Sequence, residues 1–172
     1  MSIALALARI SRPHDAVLGD LPGHDGWVDV AEYPTAATAP GLVVFRFDAP
    51  LFFVNAERFT DRVDDVLTGT PERVDWFVLD CEGIGALDTS GVDVLHNLVR
   101  SIDRRHISTI GVARANDHVL DRMQRAGLLE PTGALQVSEP SRVARGEPMA
   151  DAYARRRVDN ADGGLQCRVI TS

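Results

Sequence analysis

Hydrophobic and polar positions alternate with different periods along this chain, and the changes of period predict a succession of strands and helices. Residues 15–23 are typical of a short strand and turn, and residues 27–30 alternate apolar and acidic side chains as a half-exposed strand does. Residues 33–41 contain prolines, threonines and a glycine without periodicity, and so predict a loop. Residues 42–48 and 51–55 are short β-prone runs separated by a proline, and each predicts a strand.

The second part of the pattern alternates between helical and strand periods. Its predicted elements are a helix capped by Asn55 and running to about 67, strand 76–80, a helix to about Arg105, strand 107–113, a helix from Asn116 to Gly127, and strand 134–137. Strands that alternate with helices predict right-handed crossovers. We therefore expect an α/β fold with a mixed, mostly parallel β-sheet and helices packed against it. Beyond residue 139 the pattern weakens, with a helix predicted at 149–157 and disorder at 158–167.

Composition narrows the class of protein. The net charge of −7 and the pI of about 5.1 argue against nucleic acid as a partner, and lysine is absent, so all 18 cationic side chains are arginine. Cys81 and Cys167 form no CxxC motif, and Cys81 follows an apolar run that predicts burial, which favours a reduced cytosolic protein. The five histidines show no HxxxH or His/Cys spacing, so the sequence predicts no metal site.

The N-terminal segment leaves two alternatives open. Its apolar stretch, residues 3–8, is far shorter than the ~20 residues that span a bilayer. Arg9 and Arg12 follow it with no acidic residue before Asp15, which is typical of the cytoplasmic end of a transmembrane helix. An amphipathic first turn would give the same pattern.

The candidate chemistry lies at Asp88-Thr89-Ser90-Gly91, between a buried strand and a predicted helix. Loops at the carboxyl ends of such strands are where α/β sheets meet ligands and partners. Asp88 or Ser90 could cap the helix, and Ser90 with Asp93 has capping-box spacing. The first N–H groups of the helix would favour an anion, and Gly91 would allow a phosphate or another backbone to approach closely. A phosphate on Ser90 would gain from those N–H groups and be repelled by the two aspartates.

Other interpretations of this tetrapeptide are possible. A serine hydrolase would need a GxSxG elbow and a base, whereas Asp88 occupies the place of the first glycine. An aspartic protease would need a second such loop or a dimer, and a Walker loop would need a lysine. A helix cap with no further role stays open on these residues alone.

Two stretches of the chain carry a family resemblance. "APGLVVFRFDAPLFFVNAERF" (39–59), followed by "LDTSGVDVL" (87–95), resembles the STAS domain (sulfate transporter and anti-sigma factor antagonist) at the cytoplasmic C-terminus of SulP-family anion transporters. The lead-in at 11–23 is similar to the linker after the last membrane helix of that family. The resemblance implies the STAS fold over residues 14–140, a juxtamembrane linker remnant at 1–13, and a C-terminal extension at 141–172 that is partly helical or disordered.

The resemblance also implies a function. The domain would be a non-enzymatic regulatory and interaction domain at the cytoplasmic face of the membrane, contacting the transmembrane domain of its parent transporter or a cytosolic regulatory protein. Ser90 would be the phosphorylation candidate, within a ligand- or partner-binding loop formed by Asp88, Thr89, Ser90 and Gly91. No cofactor is expected, although GTP or another nucleotide could bind near this loop. The alternative is a free-standing anti-sigma factor antagonist that acts as a serine phospho-switch.

Overall fold

The computed structural model describes residues 11–24, 26–129, 136–138 and 166–170. Within these ranges the strands are β1 (Asp15–Asp20), β2 (Trp27–Asp29), β3 (Leu42–Phe47), β4 (Trp76–Asp80), β5 (Thr109–Ala113), β6 (Gln136–Ser138) and β7 (Gln166–Ile170). The helices are α1 (Ala56–Gly69), α2 (Thr89–Arg104) and α3 (Asp117–Arg125).

The described strands join in one sheet in the order β2-β1-β3-β4-β5-β6-β7, with a further pairing between β5 and β7. Strand β1 runs antiparallel to both β2 and β3, whereas β3, β4 and β5 are parallel. Val78 of β4 is in register with Val44 of β3 and Gly111 of β5. Strands β6 and β7 continue the parallel pairing. The α/β class and the mixed, mostly parallel sheet are therefore confirmed.

One face of the sheet packs against all three helices. This main core joins apolar residues of the central strands with the buried stripe of each helix: Phe45, Phe77, Ile110, Phe59, Val63, Leu67, Leu95, Leu98, Ile102, Val119 and Met123. The opposite face carries a smaller cluster of Ala16, Leu18, Leu42, Val44, Val78 and Ala113. Alternate residues of each strand point to opposite faces, so the continuous apolar runs of β3, β4 and β5 supply both clusters.

The strand predicted at residues 51–55 is wrong. Leu51 makes only an isolated bridge to Leu87, and residues 53–55 form a turn that leads into α1. The apolar run is β-prone, but the Asn55 side chain bonds to the backbone of the preceding residues and so favours a turn. The other predicted strands and helices among the described residues are found, with ends displaced by a few residues.

The C-terminal region holds a second correction. Of the residues predicted to be disordered, 158–167, the structure describes only 166 and 167, and these two begin β7 (Gln166–Ile170), which pairs with β5 and β6. Such pairing supplies backbone partners that a weak local pattern does not reveal. Residues 158–165 lie outside the described residues. The helix predicted at 149–157 and residues 1–10 lie outside the described residues, and the domain boundaries at 13 and 140 stay predictions. In the described part of the chain, no helix has both the length and the apolarity that crossing a bilayer requires.

Candidate functional site

The predicted loop lies where the sheet meets the start of α2, and Asp88 is the residue that caps this helix. Its backbone is extended, with φ −92° and ψ −174°, as an N-cap requires. Its Oδ1 accepts a hydrogen bond from the Gly91 N–H at 2.7 Å. Of the two caps predicted for this helix, Asp88 is confirmed and Ser90 is wrong. Ser90 is already the second helical residue, so the capping box with Asp93 does not form.

The second carboxylate oxygen of Asp88 reaches a different segment. Asp88 Oδ2 accepts a hydrogen bond from the Phe53 N–H at 3.0 Å, across 35 residues of sequence. One side chain therefore ties the start of α2 to the turn before α1. Phe53 itself is 77% exposed, the higher value of the two exposed large apolar side chains among the described residues. Phe53 was not among the predicted site residues, because a strand, and not a turn, was predicted at 51–55.

Two glycines allow the turn to pack this closely on the loop. A Cβ at Gly91 would overlap the carbonyl oxygen of Leu51, and a Cβ at Gly83 would lie 2.5 Å from the Cα of Asp48. Backbone hydrogen bonds join the same segments, from the Leu51 N–H to Ala86 O at 3.0 Å and from the Asp88 N–H to Leu51 O at 3.3 Å. The close approach predicted for Gly91 is thus made by the protein's own backbone, and the space that it provides is already filled.

Asn55 holds the turn from the other side. It lies at the N-cap position of α1, but its ψ of 6° is not extended and its side chain makes no capping hydrogen bond. Instead Asn55 Oδ1 accepts from the Phe52 N–H at 3.0 Å, and Asn55 Nδ2 donates to Pro50 O at 2.9 Å. The prediction that the Asn55 side chain caps α1 is therefore wrong. This buried amide shapes the turn that presents Phe53.

Thr89 is exposed and Ser90 is half-buried in the first turn of α2. The first N–H groups of a helix have no intrahelical acceptor. Asp88 satisfies the N–H of Gly91, and the described hydrogen bonds give no acceptor for those of Thr89 and Ser90. The four predicted site residues are thus brought together at a helix start where two amide protons are open to an anion.

An ion-pair network around the buried Asp80 lies at the other end of this loop, and it was not predicted from the sequence. Arg114, just after β5, pairs with Asp80 at the end of β4 and with Glu82 in the loop. Arg114 has φ 54°, in the left-handed region that non-glycine residues rarely occupy. Burial lowers the pKa of its guanidinium, but the hydrogen bond and charge of Asp80 outweigh this and raise that pKa overall. The network holds Glu82, the first residue after Cys81, at the carboxyl edge of the sheet.

Cys81 is fully buried between these features, as predicted. Burial raises the pKa of its thiol well above the usual value, and the charge of Asp80 adds to the effect. The thiolate form is therefore suppressed, and Cys81 acts as a small core side chain and not as a nucleophile.

The arginines near the start of β1 lie in another groove. Arg58 Nη2 and Arg62 Nε, both on α1, bind the buried carboxylate of Asp15 at 3.0 and 2.7 Å. With Arg12 and Asp65 they line an open groove of about 610 Å³. Two of these cations are thus engaged with a carboxylate, and Arg114 is engaged with two others. Arg58, Arg62 and Arg114 are therefore already paired with carboxylates and are poorly suited to neutralise a triphosphate at Ser90.

Comparison with known proteins identifies the family to which this chain is similar. A family model described as "STAS domain" matches residues 33–137. Two probable sulfate transporters from Mycobacterium tuberculosis strains are each 41% identical to this chain over 133 residues, which are 77% of this chain and 24% of the relative. Sulfate transporter 3.1 of Arabidopsis thaliana is 29% identical over 134 residues, covering 73% of this chain and 20% of the relative.

A solved structure gives the same fold. The murine Solute Carrier 26 family member A9 anion transporter, in the inward-facing state, superposes with a TM-score of 0.66 at 19% identity. The match covers 73% of this chain and 20% of that one. This chain spans about a quarter of the length of the mycobacterial relatives, so their transport activity belongs to proteins much longer than the part compared.

Proposed function

The chain belongs to the STAS domain family, and from that premise we propose that it is the cytoplasmic regulatory and interaction domain of a SulP-family sulfate or related anion transporter. Its relatives are sulfate transporters of which it matches about a quarter, and this supports a role as one domain of such a protein. Transport would be performed by a membrane region, and this domain would act by binding without catalysing a reaction.

The proposed partner is the transmembrane domain of the same transporter. The contact surface would consist of Phe53 with Thr89 and Ser90, which we call the Phe53–Ser90 surface. Exposed aromatic side chains are frequent anchors of protein interfaces, because a partner can desolvate a large rigid ring at little entropic cost. The neighbouring hydroxyls would form the polar rim of such a contact.

The single observation that carries the regulatory part is the double hydrogen bond of Asp88 to Gly91 and Phe53. A phosphate on Ser90 would bring about −1.5 to −2 charges to the helix start. It would be attracted by the open N–H groups there and would repel the Asp88 carboxylate two residues away. Since Asp88 also holds the N–H of Phe53, we expect the added charge to loosen the turn that presents Phe53. Phosphorylation would thereby weaken docking.

Nucleotide binding is a separate part of the proposal. GTP or another nucleotide would place a phosphate at the open N–H groups of Thr89 and Ser90. With the neighbouring arginines engaged by carboxylates, we expect this binding to be weak. Titration of the chain with GTP, GDP, ATP and sulfate, followed by amide NMR, tests it. Shifts clustered at 82–93 would support a nucleotide site, and a flat response would contradict one.

The docking proposal is tested in the intact parent transporter. We expect Ser90→Glu and Phe53→Ser to lower sulfate uptake several-fold at equal surface expression, because each weakens the Phe53–Ser90 surface. Thr60→Glu is the control for charge, since it adds the same charge to an exposed position on α1. Tyr33→Ser is the control for lost apolar area, since Tyr33 is the other exposed large apolar side chain of the described residues. Unchanged uptake in both test variants would contradict the proposal.

A cytosolic regulatory protein is the other partner that the same surface could bind. In that case the two test variants would lose binding of that protein while basal uptake stayed constant. The free-standing anti-sigma factor antagonist remains the rival of a different class. The gene upstream of residue 1 decides between them, because a transporter requires a series of hydrophobic segments there and the antagonist requires none.

A further inference from the structure

Outside the Phe53–Ser90 surface, a histidine and two carboxylates converge at the antiparallel edge of the sheet. His14 immediately precedes β1, Asp29 is the last residue of β2, and Glu32 follows in the next turn. One donor atom from each side chain lies within 4.8 Å of the others. We propose that these three side chains bind a divalent transition-metal ion of the zinc type.

The backbone fixes two of these side chains with respect to each other. Asp29 Oδ1 accepts from the Ala31 N–H at 2.8 Å, and Asp29 O accepts from the N–H groups of Glu32 and Tyr33 at 3.1 and 2.9 Å. This tight turn brings Glu32 back over the end of β2. Asp29 Oδ2 remains to face the ring of His14, so the same aspartate both builds the turn and offers a ligand atom.

The histidine is oriented by a third carboxylate. His14 Nδ1 lies 3.0 Å from Asp48 Oδ2, just after β3, and the Asp48 N–H donates to His14 O at 3.0 Å. Asp48 Oδ1 in turn lies 3.2 Å from Arg46 Nε, so the charge of Asp48 is already compensated. A histidine that ligates a metal almost always donates its other ring N–H to such a group. Asp48 is therefore a positioning residue and leaves His14 Nε2 as the ligand.

The distance between His14 Nε2 and Asp29 Oδ2 is 3.4 Å. A neutral imidazole that donates from Nδ1 to Asp48 presents a lone pair at Nε2, which then faces the lone pairs of the Asp29 carboxylate. A metal ion, or alternatively a second proton on His14, would supply the positive charge that bridges these two atoms. In a tetrahedral zinc site with bonds of about 2.1 Å, neighbouring ligand atoms lie about 3.4 Å apart, so the observed spacing matches.

Burial and charge also favour a divalent ion. Asp29 is only 7% exposed, and in the described part of the chain His14 is its sole ion-pair partner. A buried carboxylate requires a compensating cation. Asp29 and Glu32 together supply two negative charges, which a divalent ion neutralises. One nitrogen and two carboxylate ligands suit zinc-like ions, whereas Mg²⁺ and Ca²⁺ prefer oxygen alone.

This site could not be predicted from the sequence, because its ligands come from different elements and no two have a metal-binding spacing. A bound ion would fasten the start of β1 to the end of β2. That is the edge at which the lead-in segment enters the domain, far in sequence from Ser90. The inference is thus independent of the proposed docking function.

The test is calorimetric titration of ZnCl₂ into the chelator-treated 172-residue chain, in a Cys167→Ser background that removes a competing thiol. We expect one saturable equivalent and a rise in the melting temperature. Glu32→Gln, at an exposed position that leaves folding intact, should weaken the Kd by more than about tenfold, and Asp48→Asn by about 10–100-fold. His14→Gln should abolish binding. His118→Gln, at an exposed histidine on α3, is the control and should bind normally.

Three results would overturn the proposal. The first is the absence of saturable zinc binding, which would mean that a second proton on His14 bridges the carboxylates. The second is zinc binding that His14→Gln and Glu32→Gln leave unchanged, which would place the ion elsewhere. The third is equal affinity for MgCl₂, which would exclude a nitrogen-preferring ion.

Discussion

Helices α1 and α2 lie side by side on the sheet, and each follows a residue whose side chain is a good helix cap, yet only one of the two caps its helix. Asp88 has the extended backbone of an N-cap and binds the Gly91 N–H. Asn55 has ψ near 0°, and its amide turns back to bind Pro50 and Phe52. The backbone angle before the helix therefore decides whether such a side chain serves the helix or the preceding turn.

The two helix starts also form one unit. Asp88 reaches Phe53 in the turn that Asn55 shapes, and Gly91 lies against the Leu51 carbonyl oxygen of that turn. A family motif that looks like one loop in the sequence is thus built from two segments. The exposed Phe53 and the half-buried Ser90 are presented together because of these contacts.

The largest loss of stability is expected when the start of α2 is forced away from the turn before α1. Gly91→Ala should lower the free energy of unfolding by about 3 kcal/mol, because its Cβ would overlap the Leu51 carbonyl oxygen and a backbone cannot move as a side chain can. Gly85→Ala, in the loop that precedes α2, is the control, since a Cβ there meets nothing within 4 Å. Urea unfolding of both variants measures the difference. Equal stabilities would contradict the close packing of the two segments.

Removing the side chain that shapes the turn should have the next largest effect. Asn55→Ala leaves Pro50 O and the Phe52 N–H without their partner in a site where Asn55 is 1% exposed. We expect a loss of about 2 kcal/mol in the free energy of unfolding. Asn97→Ala, at an exposed position of α2, should change it by less than about 0.5 kcal/mol. A small loss at Asn55 would mean that the turn is held by its backbone alone.

Removing the true cap should cost less, because Asp88 is more accessible to water than Asn55. Asp88→Ala should lower the free energy of unfolding by about 1 kcal/mol, and Asp88→Asn, which can still cap, by less. Asn116→Ala provides the comparison, since Asn116 caps α3 through the Val119 N–H at 2.9 Å and its only other side-chain hydrogen bond among the described residues is a longer one, to Gly85 O at 3.3 Å. If Asp88→Ala proved milder than Asn116→Ala, the additional bond to Phe53 would contribute nothing to stability.

The smallest effect is expected at Ser90. The described hydrogen bonds include none made by its hydroxyl, so Ser90→Ala should change the free energy of unfolding by less than about 0.5 kcal/mol in thermal or urea unfolding. A stable Ser90→Ala together with a loss of regulation would assign the residue a role beyond structure. A loss of more than about 1 kcal/mol would instead make Ser90 part of the scaffold.

The sequence could predict the elements of the fold that have long, regular patterns of hydrophobic residues. The parallel strands β3 to β5 and the stripes of α1 and α2 follow from hydrophobic periodicity, and Asp88 was one of two caps that local spacing allowed. The short run 51–55 was misassigned because four apolar residues suit a strand as well as a turn. The hydrogen bonds of the Asn55 side chain to Phe52 and Pro50 favour the turn, and hydrophobic periodicity carries no information about such bonds.

Contacts between distant residues could not be predicted in this way. Asp88 and Phe53, Arg114 and Asp80, and the group of His14 with Asp29 and Glu32 are each separated by many residues and brought together by the sheet. Their sequence spacing has no period, because it depends on the lengths of the intervening helices and turns. β7 escaped prediction for the same reason, since its pairing partners lie far away in the chain.

The coupling of the two helix starts through Asp88 can be measured directly by amide hydrogen exchange, residue by residue, in the parent chain and in Asp88→Ala. We predict that exchange at Phe53 and at Gly91 accelerates together, by about fivefold for a loss of about 1 kcal/mol. The Phe52 amide, which Asn55 holds, should change much less. Acceleration at Gly91 with the Phe53 amide unchanged would show that the turn and the helix are independent, and would contradict the account.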